Sequence, residues 1–322
     1  MSLILAALFS LHAYAADGSL SQKAEAPKPS KWSLGYNYAY YSFEGTSTAN
    51  TGIYKFGDAS VAMHLFTLSY QPSPLWTVYA FAPYLRNEVE TIYEPTSKGM
   101  NLKTKDTSEG LSDVKLMALH PFWIRGGSVS LVDIGLSMPT GKVDSHFNSS
   151  PTQGASYNMQ LGTGTPDLTT GLTYVYTAGK FSHTARGQYT ARFGRNREDW
   201  ALGNEWRASL ASKVQALKYL NAGLQANYFN RDRVRGRSQS YERFNNYASP
   251  FDPEVKGDGH QYYHGSQATA DLSAVLKTEY KTSTSQTLGL ELSIPVLQES
   301  FNKDDIQLDT RYAFNGSVSA SF

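Results

Sequence analysis

From Leu308 to the last residue the chain alternates. Leu308, Thr310, Tyr312, Phe314, Gly316, Val318, Ala320 and Phe322 share one parity; Asp309, Arg311, Ala313, Asn315, Ser317, Ser319 and Ser321 share the other. Successive side chains of a strand point to opposite faces, so this segment has one apolar, aromatic face and one polar face. The split recurs upstream. Trp32, Leu34, Tyr36 and Tyr38 oppose Ser33, Gly35 and Asn37, and Val132, Ile134 and Leu136 oppose Asp133 and Ser137. Ala185, Tyr189 and Ala191 oppose Arg186, Gln188 and Arg192. Segments 61–71 and 76–86 alternate less cleanly but similarly. The alternation predicts twelve strands: 32–43, 61–71, 76–86, 111–123, 129–138, 167–177, 181–193, 205–215, 220–231, 266–280, 287–295 and 308–322.

The connections alternate in length as well. Those after even strands are short (QPSPL, IRGGS, AGK, ALKY, KTSTSQ), and those after odd strands are long, about 44–60, 87–110, 139–166, 194–204, 232–265 and 296–307. An even strand number with short turns on one side and long loops on the other predicts an all-β chain: an antiparallel transmembrane β-barrel of the bacterial outer membrane. Trp32, Trp76, Phe122, Trp123, Phe181, Tyr219 and Tyr280 fall at strand ends on the short-turn side, as an interfacial girdle would. Phe322 ends the chain on the apolar parity, the kind of ending read by the barrel-insertion machinery of Gram-negative bacteria. The competing arrangement is a secreted β-sandwich or soluble barrel, with the apolar parity facing a core. So many outward tyrosines and the alternating loop lengths both speak against it.

Residues 1–15, MSLILAALFSLHAYA, combine a short apolar run with the small-x-small site Ala13-Tyr14-Ala15. They read as a secretory signal peptide although no Lys or Arg precedes the run. Residues 16–31 are polar and read as a solvated tail, leaving 32–322 for the barrel. Composition narrows the function. Lys plus Arg number 29 against 28 Asp plus Glu, a net charge of +1, which argues against a nucleic-acid partner. Mean hydropathy is −0.42, too polar for a bundle of membrane helices. The absence of cysteine excludes disulfides, thiolate metal sites and cysteine nucleophiles. No cofactor is implied.

Three short elements carry a family resemblance. Gly110-Leu111-Ser112-Asp113 opens the fourth strand, Met138-Pro139-Thr140-Gly141-Lys142 closes the fifth, and Gly162-Thr163-Gly164-Thr165-Pro166-Asp167 opens the sixth. This succession resembles the outer-membrane barrel family of the MetA pathway of phenol degradation, with Ser112 where that family usually has glycine. The match is best over 110–177. The resemblance implies a transporter or channel, often linked to aromatic or otherwise hydrophobic compounds. From the residues alone, Pro139 ends a strand, and Asp113 and Asp167 either cap loop N–H groups or meet a solute.

The charges on the polar parity line the predicted lumen: Asp113, Lys115, Asp133, Asp167, Arg186, Arg192, Glu205, Arg207, Asp271, Glu291, Asp309 and Arg311. Two roles are open to them. They can pair and brace the wall, or form a constriction that orients polar solutes, with weak ion selectivity because both signs are present. The loop at 231–243 carries Arg231, Arg233, Arg235 and Arg237, as a solvated loop, as a cradle for lipopolysaccharide phosphates, or as a patch that steers anionic solutes inward. His260 and His264 lack the third ligand a metal site needs. Uptake of a small-molecule solute is the leading function. A structural or surface-interaction barrel is the alternative, and a phospholipase using His120 or His183 a weaker one, since no serine-hydrolase motif accompanies them.

Overall fold

A barrel in lipid must satisfy its own backbone, because the hydrocarbon offers no hydrogen bonds. The chain does so with a closed ring of twelve antiparallel strands. The structure, a computed structural model, describes residues 32–46, 54–93, 102–147, 150–154, 157, 160–217, 220–236, 267–281, 286–300 and 307–321. The strands are β1 (Trp32–Thr46), β2 (Tyr54–Ser73), β3 (Trp76–Tyr93), β4 (Leu102–Leu111 and, past a break at Ser112 and Asp113, Val114–Arg125), β5 (Ser128–Met138) and β6 (Asp167–Ala178). They continue as β7 (Phe181–Arg192), β8 (Glu205–Leu217), β9 (Leu220–Arg231), β10 (Gln267–Lys281), β11 (Gln286–Ser300) and β12 (Gln307–Ser321). Each pairs with its sequence neighbours, and β1 pairs with β12 from Ser33 opposite Ser321 to Thr46 opposite Gln307, which removes the last free edge.

The predicted parity sets the two faces. Leu34, Phe66, Ile134, Leu172, Leu210 and Leu290 stand on the outer surface and form an apolar belt. Trp32, Trp76, Trp123, Phe181 and Tyr280 stand exposed near the short-turn rim, where an aromatic girdle belongs. Tyr219 lies outside the described residues. Two polar groups within the belt satisfy each other: the Tyr36 hydroxyl and His64 Nδ1 are 2.8 Å apart on adjacent strands. His120 stacks on Trp76 with ring centroids 4.5 Å apart, and its Nδ1 lies 3.0 Å from the Leu75 carbonyl. His183 stacks on Tyr176. Both histidines therefore belong to the girdle packing.

Two predicted loops are largely strand. The connection at 87–110 is a hairpin in which β3 runs on to Tyr93 and β4 starts at Leu102; in that at 44–60, β2 already begins at Tyr54. The reason is chemical. Beyond Tyr84 the outer face of this hairpin is charged, with Lys105 Nζ 2.6 Å from Glu88, Lys103 Nζ 2.8 Å from Glu90 and Arg86 bonded to Glu88. The sheet rises past the apolar belt, so the apolar–polar alternation fades while the backbone ladder continues.

Arg311, expected in the lumen, does not face it. Between β1 and β12 the register slips: Ser42 faces Tyr312, but Phe43 faces Thr310. The extra residue, Arg311, is turned off the lumen row. Its guanidinium bonds Glu44 at 3.2 Å and Asp58 at 3.1 Å, both exposed on the outer side. A bulge shifts parity by one, which sequence alternation cannot register. Asp309 lies opposite Glu44 in β12, and its side chain falls outside the described residues. The signal and tail segments, 1–31, also lie outside them.

The belt makes a stability prediction. Ile134→Arg, in the middle of the outer face of β5, should cost about 2–4 kcal/mol. Glu90→Gln on the charged hairpin should change stability by less than about 0.5 kcal/mol. Reversible denaturant unfolding from lipid vesicles measures both.

Candidate functional site

The inward faces divide the lumen into two halves of opposite chemistry. The charged half is carried by β4 to β10. On its first row, Asp133 of β5 accepts a hydrogen bond of 2.7 Å from Arg186 Nη2 of β7. Arg186 reaches over β6 to do so and donates through Nη1 to Thr173 at 2.8 Å on the way. Both charged groups are almost wholly buried, their side chains 0% and 3% exposed, so each is the other's main solvation.

The second cluster lies nearer the long-loop rim. Arg192 of β7 stands between two carboxylates: its Nη2 donates to Glu205 of β8 at 2.9 Å, and its Nε is 3.4 Å from Asp167 of β6. It also donates to the Gly203 carbonyl. Glu205 accepts a second guanidinium, that of Arg207, at 2.6 Å. The Arg207 guanidinium lies over the Phe229 ring of β9, 4.8 Å from its centroid, a cation–π contact. Lys115 of β4 stands within electrostatic reach of Asp133, Arg186, Glu205 and Arg207. Farther round, Asp271 accepts bonds from Asn227 at 2.9 Å and Ser273 at 3.1 Å, and Asn315 lies 3.4 Å from Glu291.

Thus Lys115, Asp133, Asp167, Arg186, Arg192, Glu205 and Arg207 are brought together in one wall. Asp271 and Glu291 also face inward, each with a local polar partner. Asp113 is different. Its two carboxylate oxygens accept the Gly141 N–H at 2.8 Å, the Thr163 N–H at 2.6 Å and the Thr163 hydroxyl at 2.8 Å. The three motif elements therefore meet in one clasp on the long-loop rim. Thr140 closes it from the other side, accepting the Val114 N–H at 2.9 Å and donating to the Ser112 carbonyl. Gly141 and Gly162 are glycine because the two backbones touch: a Cβ on Gly162 would sit 2.8 Å from the Gly141 Cα. Asp167, expected to cap or to meet a solute, accepts the Thr165 hydroxyl at 2.7 Å and faces Arg192.

The other half of the lumen is apolar, a feature not legible from the charged lumen positions of the sequence. Ala39, Tyr41 and Phe43 of β1, Val61, Met63 and Leu65 of β2, and Phe81, Leu85 and Val89 of β3 all face inward and are buried together. The signal was present as the weak alternation of 61–71. A strand apolar on both faces is one covered on both sides, here by lipid and by the barrel interior. The two halves meet across the bore, where Tyr41 lies within electrostatic reach of Arg207.

The loop arginines separate. Arg231 is buried at the end of β9, 1% exposed, and is not placed to bind lipopolysaccharide from outside. Arg235 donates to the Arg192 carbonyl at 2.7 Å, while Arg233 is exposed. Arg237, His260 and His264 lie outside the described residues. Over the charged half, connections from three strand pairs pack an apolar cluster of their own: Val143, Tyr157, Trp200, Leu202 and Val234. Trp200–Ala201 pairs with Arg235–Gly236 beside it.

No family model matches this chain, and no curated protein does. Solved structures do. The chain superposes on an outer membrane channel from Pseudomonas putida F1 with a TM-score of 0.57 at 11% identity, covering 94% of this chain and 100% of that one. The likeness establishes the fold, that of an outer-membrane barrel. The KdgM porin matches with a TM-score of 0.43 at 8% identity, covering 90% of this chain and 99% of that one. The NanC porin matches with a TM-score of 0.42 at 10% identity, covering 90% and 100%. At those scores neither adds an argument.

Breaking the buried pair should be costly. Arg186→Leu, which strands Asp133, is expected to lose about 3–5 kcal/mol, and Asp133→Leu in the same chain should restore most of it. Denaturant midpoints of the three proteins in vesicles decide this; equal midpoints for wild type and Arg186→Leu would mean the pair contributes nothing.

Proposed function

We propose that this protein is a channel of the Gram-negative outer membrane that takes up small molecules with an apolar, commonly aromatic, body and a polar or ionised group. The observation that carries the reading is the two-sided lumen. A packed apolar wall on β1–β3 faces a wall of guanidinium and carboxylate groups on β4–β8. A purely aqueous pore has no use for Val61, Met63, Leu65 and Leu85 on its inner face. An inert plug has no use for the many buried ions, which cost desolvation unless they serve something.

Two further points support it. Asp133 Oδ2, Arg186 Nε, Asn37 Oδ1 and Asn315 Oδ1 are buried without a protein hydrogen-bond partner, so the interior keeps hydrogen-bonding capacity for water or a polar solute group. The clasp residues are those of the resemblance to the phenol-degradation family, whose members are linked to hydrophobic compounds. Arg233 stands ready for lipopolysaccharide phosphate at the outer rim. In this reading the chain does no covalent chemistry. A structural barrel without transport is the second reading, favoured by how tightly the apolar wall is packed.

The test is transport by purified protein refolded into liposomes. Benzoate should enter faster than a neutral sugar of similar size. Arg207→Gln, which removes the cation over Phe229 and leaves Glu205 paired with Arg192, should slow benzoate and spare the sugar. A folded, heat-modifiable barrel that moves neither solute and conducts no ions in planar bilayers favours the structural reading.

A further inference from the structure

The apolar wall ends in a residue that does not belong to the wall. Asn315, Ala39, Met63, Leu85 and Gly110 lie in one cross-strand row running from β12 through β1, β2 and β3 to β4. Leu161, from the connection between β5 and β6, packs into the apolar cluster that includes Ala39, Met63 and Leu85 and is 1% exposed. Gly110 makes room for it. A Cβ there would come within 2.9 Å of Leu161 Cδ1, and the Gly110 φ of +149° is one that other residues rarely adopt.

Leu161 is also tightly tethered. The next residue, Gly162, donates its N–H to the Lys142 carbonyl at 2.9 Å. The residue after that, Thr163, gives both its N–H and its hydroxyl to Asp113, and its carbonyl accepts the Asn196 side chain at 3.0 Å. Leu161 therefore cannot leave the apolar row unless the Asp113 clasp loosens. Charge-assisted bonds to a carboxylate are among the stronger links a loop can have.

We propose that Leu161, held by Asp113, is the stopper of the apolar half of the lumen and controls passage along it. The inference rests on the channel reading. An apolar solute entering at the long-loop rim and following the wall of β1–β3 inward meets Leu161 across the row of Met63 and Leu85. Displacing it requires release of the clasp. Asp113 thereby acts on transport as a positioning residue without touching the solute. An asparagine there keeps the size but offers one acceptor oxygen to three donors.

The chain's lack of cysteine makes the placement testable apart from transport. Leu161→Cys supplies a single thiol. Its reaction with a small, membrane-impermeant methanethiosulfonate should be slow beside that of Arg233→Cys on the exposed loop. Adding Asp113→Asn should speed it by about tenfold, the change expected from losing a charge-assisted hydrogen bond. In parallel, Leu161→Gly and Asp113→Asn should each raise benzoate flux into liposomes, with heat-modifiable migration confirming folding. A Leu161→Cys thiol as reactive as that of Arg233→Cys, with Asp113 intact, overturns the stopper whether or not the barrel transports. A protected thiol with unchanged benzoate flux in both flux variants, over a measurable wild-type flux, overturns its control of passage. A protected thiol with no flux by any variant overturns the channel reading instead, and the gating role with it.

Discussion

The structure depends on one constraint: in hydrocarbon, each backbone N–H and C=O must be bonded within the protein. A sheet can meet that demand only by closing on itself, and β1 paired to β12 from Ser33 opposite Ser321 to Thr46 opposite Gln307 is the closure. Everything else inherits from it. A closed sheet has two faces and no edge, so each residue's parity decides whether it meets lipid or the interior. Leu210 and Leu290 are out, and Arg186 and Arg192 are in, because of the pleat alone. A single bulge suffices to move Arg311 to the other side.

Closure also explains how buried charges are tolerated. Strands bring side chains from neighbouring rows within reach. Arg192 can sit between carboxylates supplied by the strands on either side, and Arg186 can span a strand to find Asp133. A guanidinium in such a setting is held by geometry, since its own flexible stem would otherwise cost entropy to fix. The apolar half needs no such matching, and its side chains simply fill the space.

The long-loop rim adds order where loops usually bring variety. Elements separated by tens of residues, at 112–113, 140–142 and 162–165, converge on one carboxylate. Their glycines are there because two backbones approach each other too closely for side chains. The clasp is thus a tertiary object: its bonds join segments far apart in the chain, and it holds the segment that carries Leu161 into the apolar cluster.

The sequence by itself determined the strand class, the strand number, the alternation of short turns and long loops, and the two faces of most strands. These follow from period-2 patterning and turn residues, which are local. It also pointed to Asp113 as a loop cap and to the charged residues of β4–β8 as interior. Only the tertiary structure decided which charges pair, because partners such as Asp133 and Arg186 are 53 residues apart and meet through the ring. It alone placed Arg311 outside, since a register slip leaves no trace in alternation. It extended β2, β3 and β4 beyond the belt, where the outer face turns from apolar to charged and the pattern fades. And it revealed the apolar wall, which in sequence looks like imperfect alternation and in space is a strand surface covered on both sides.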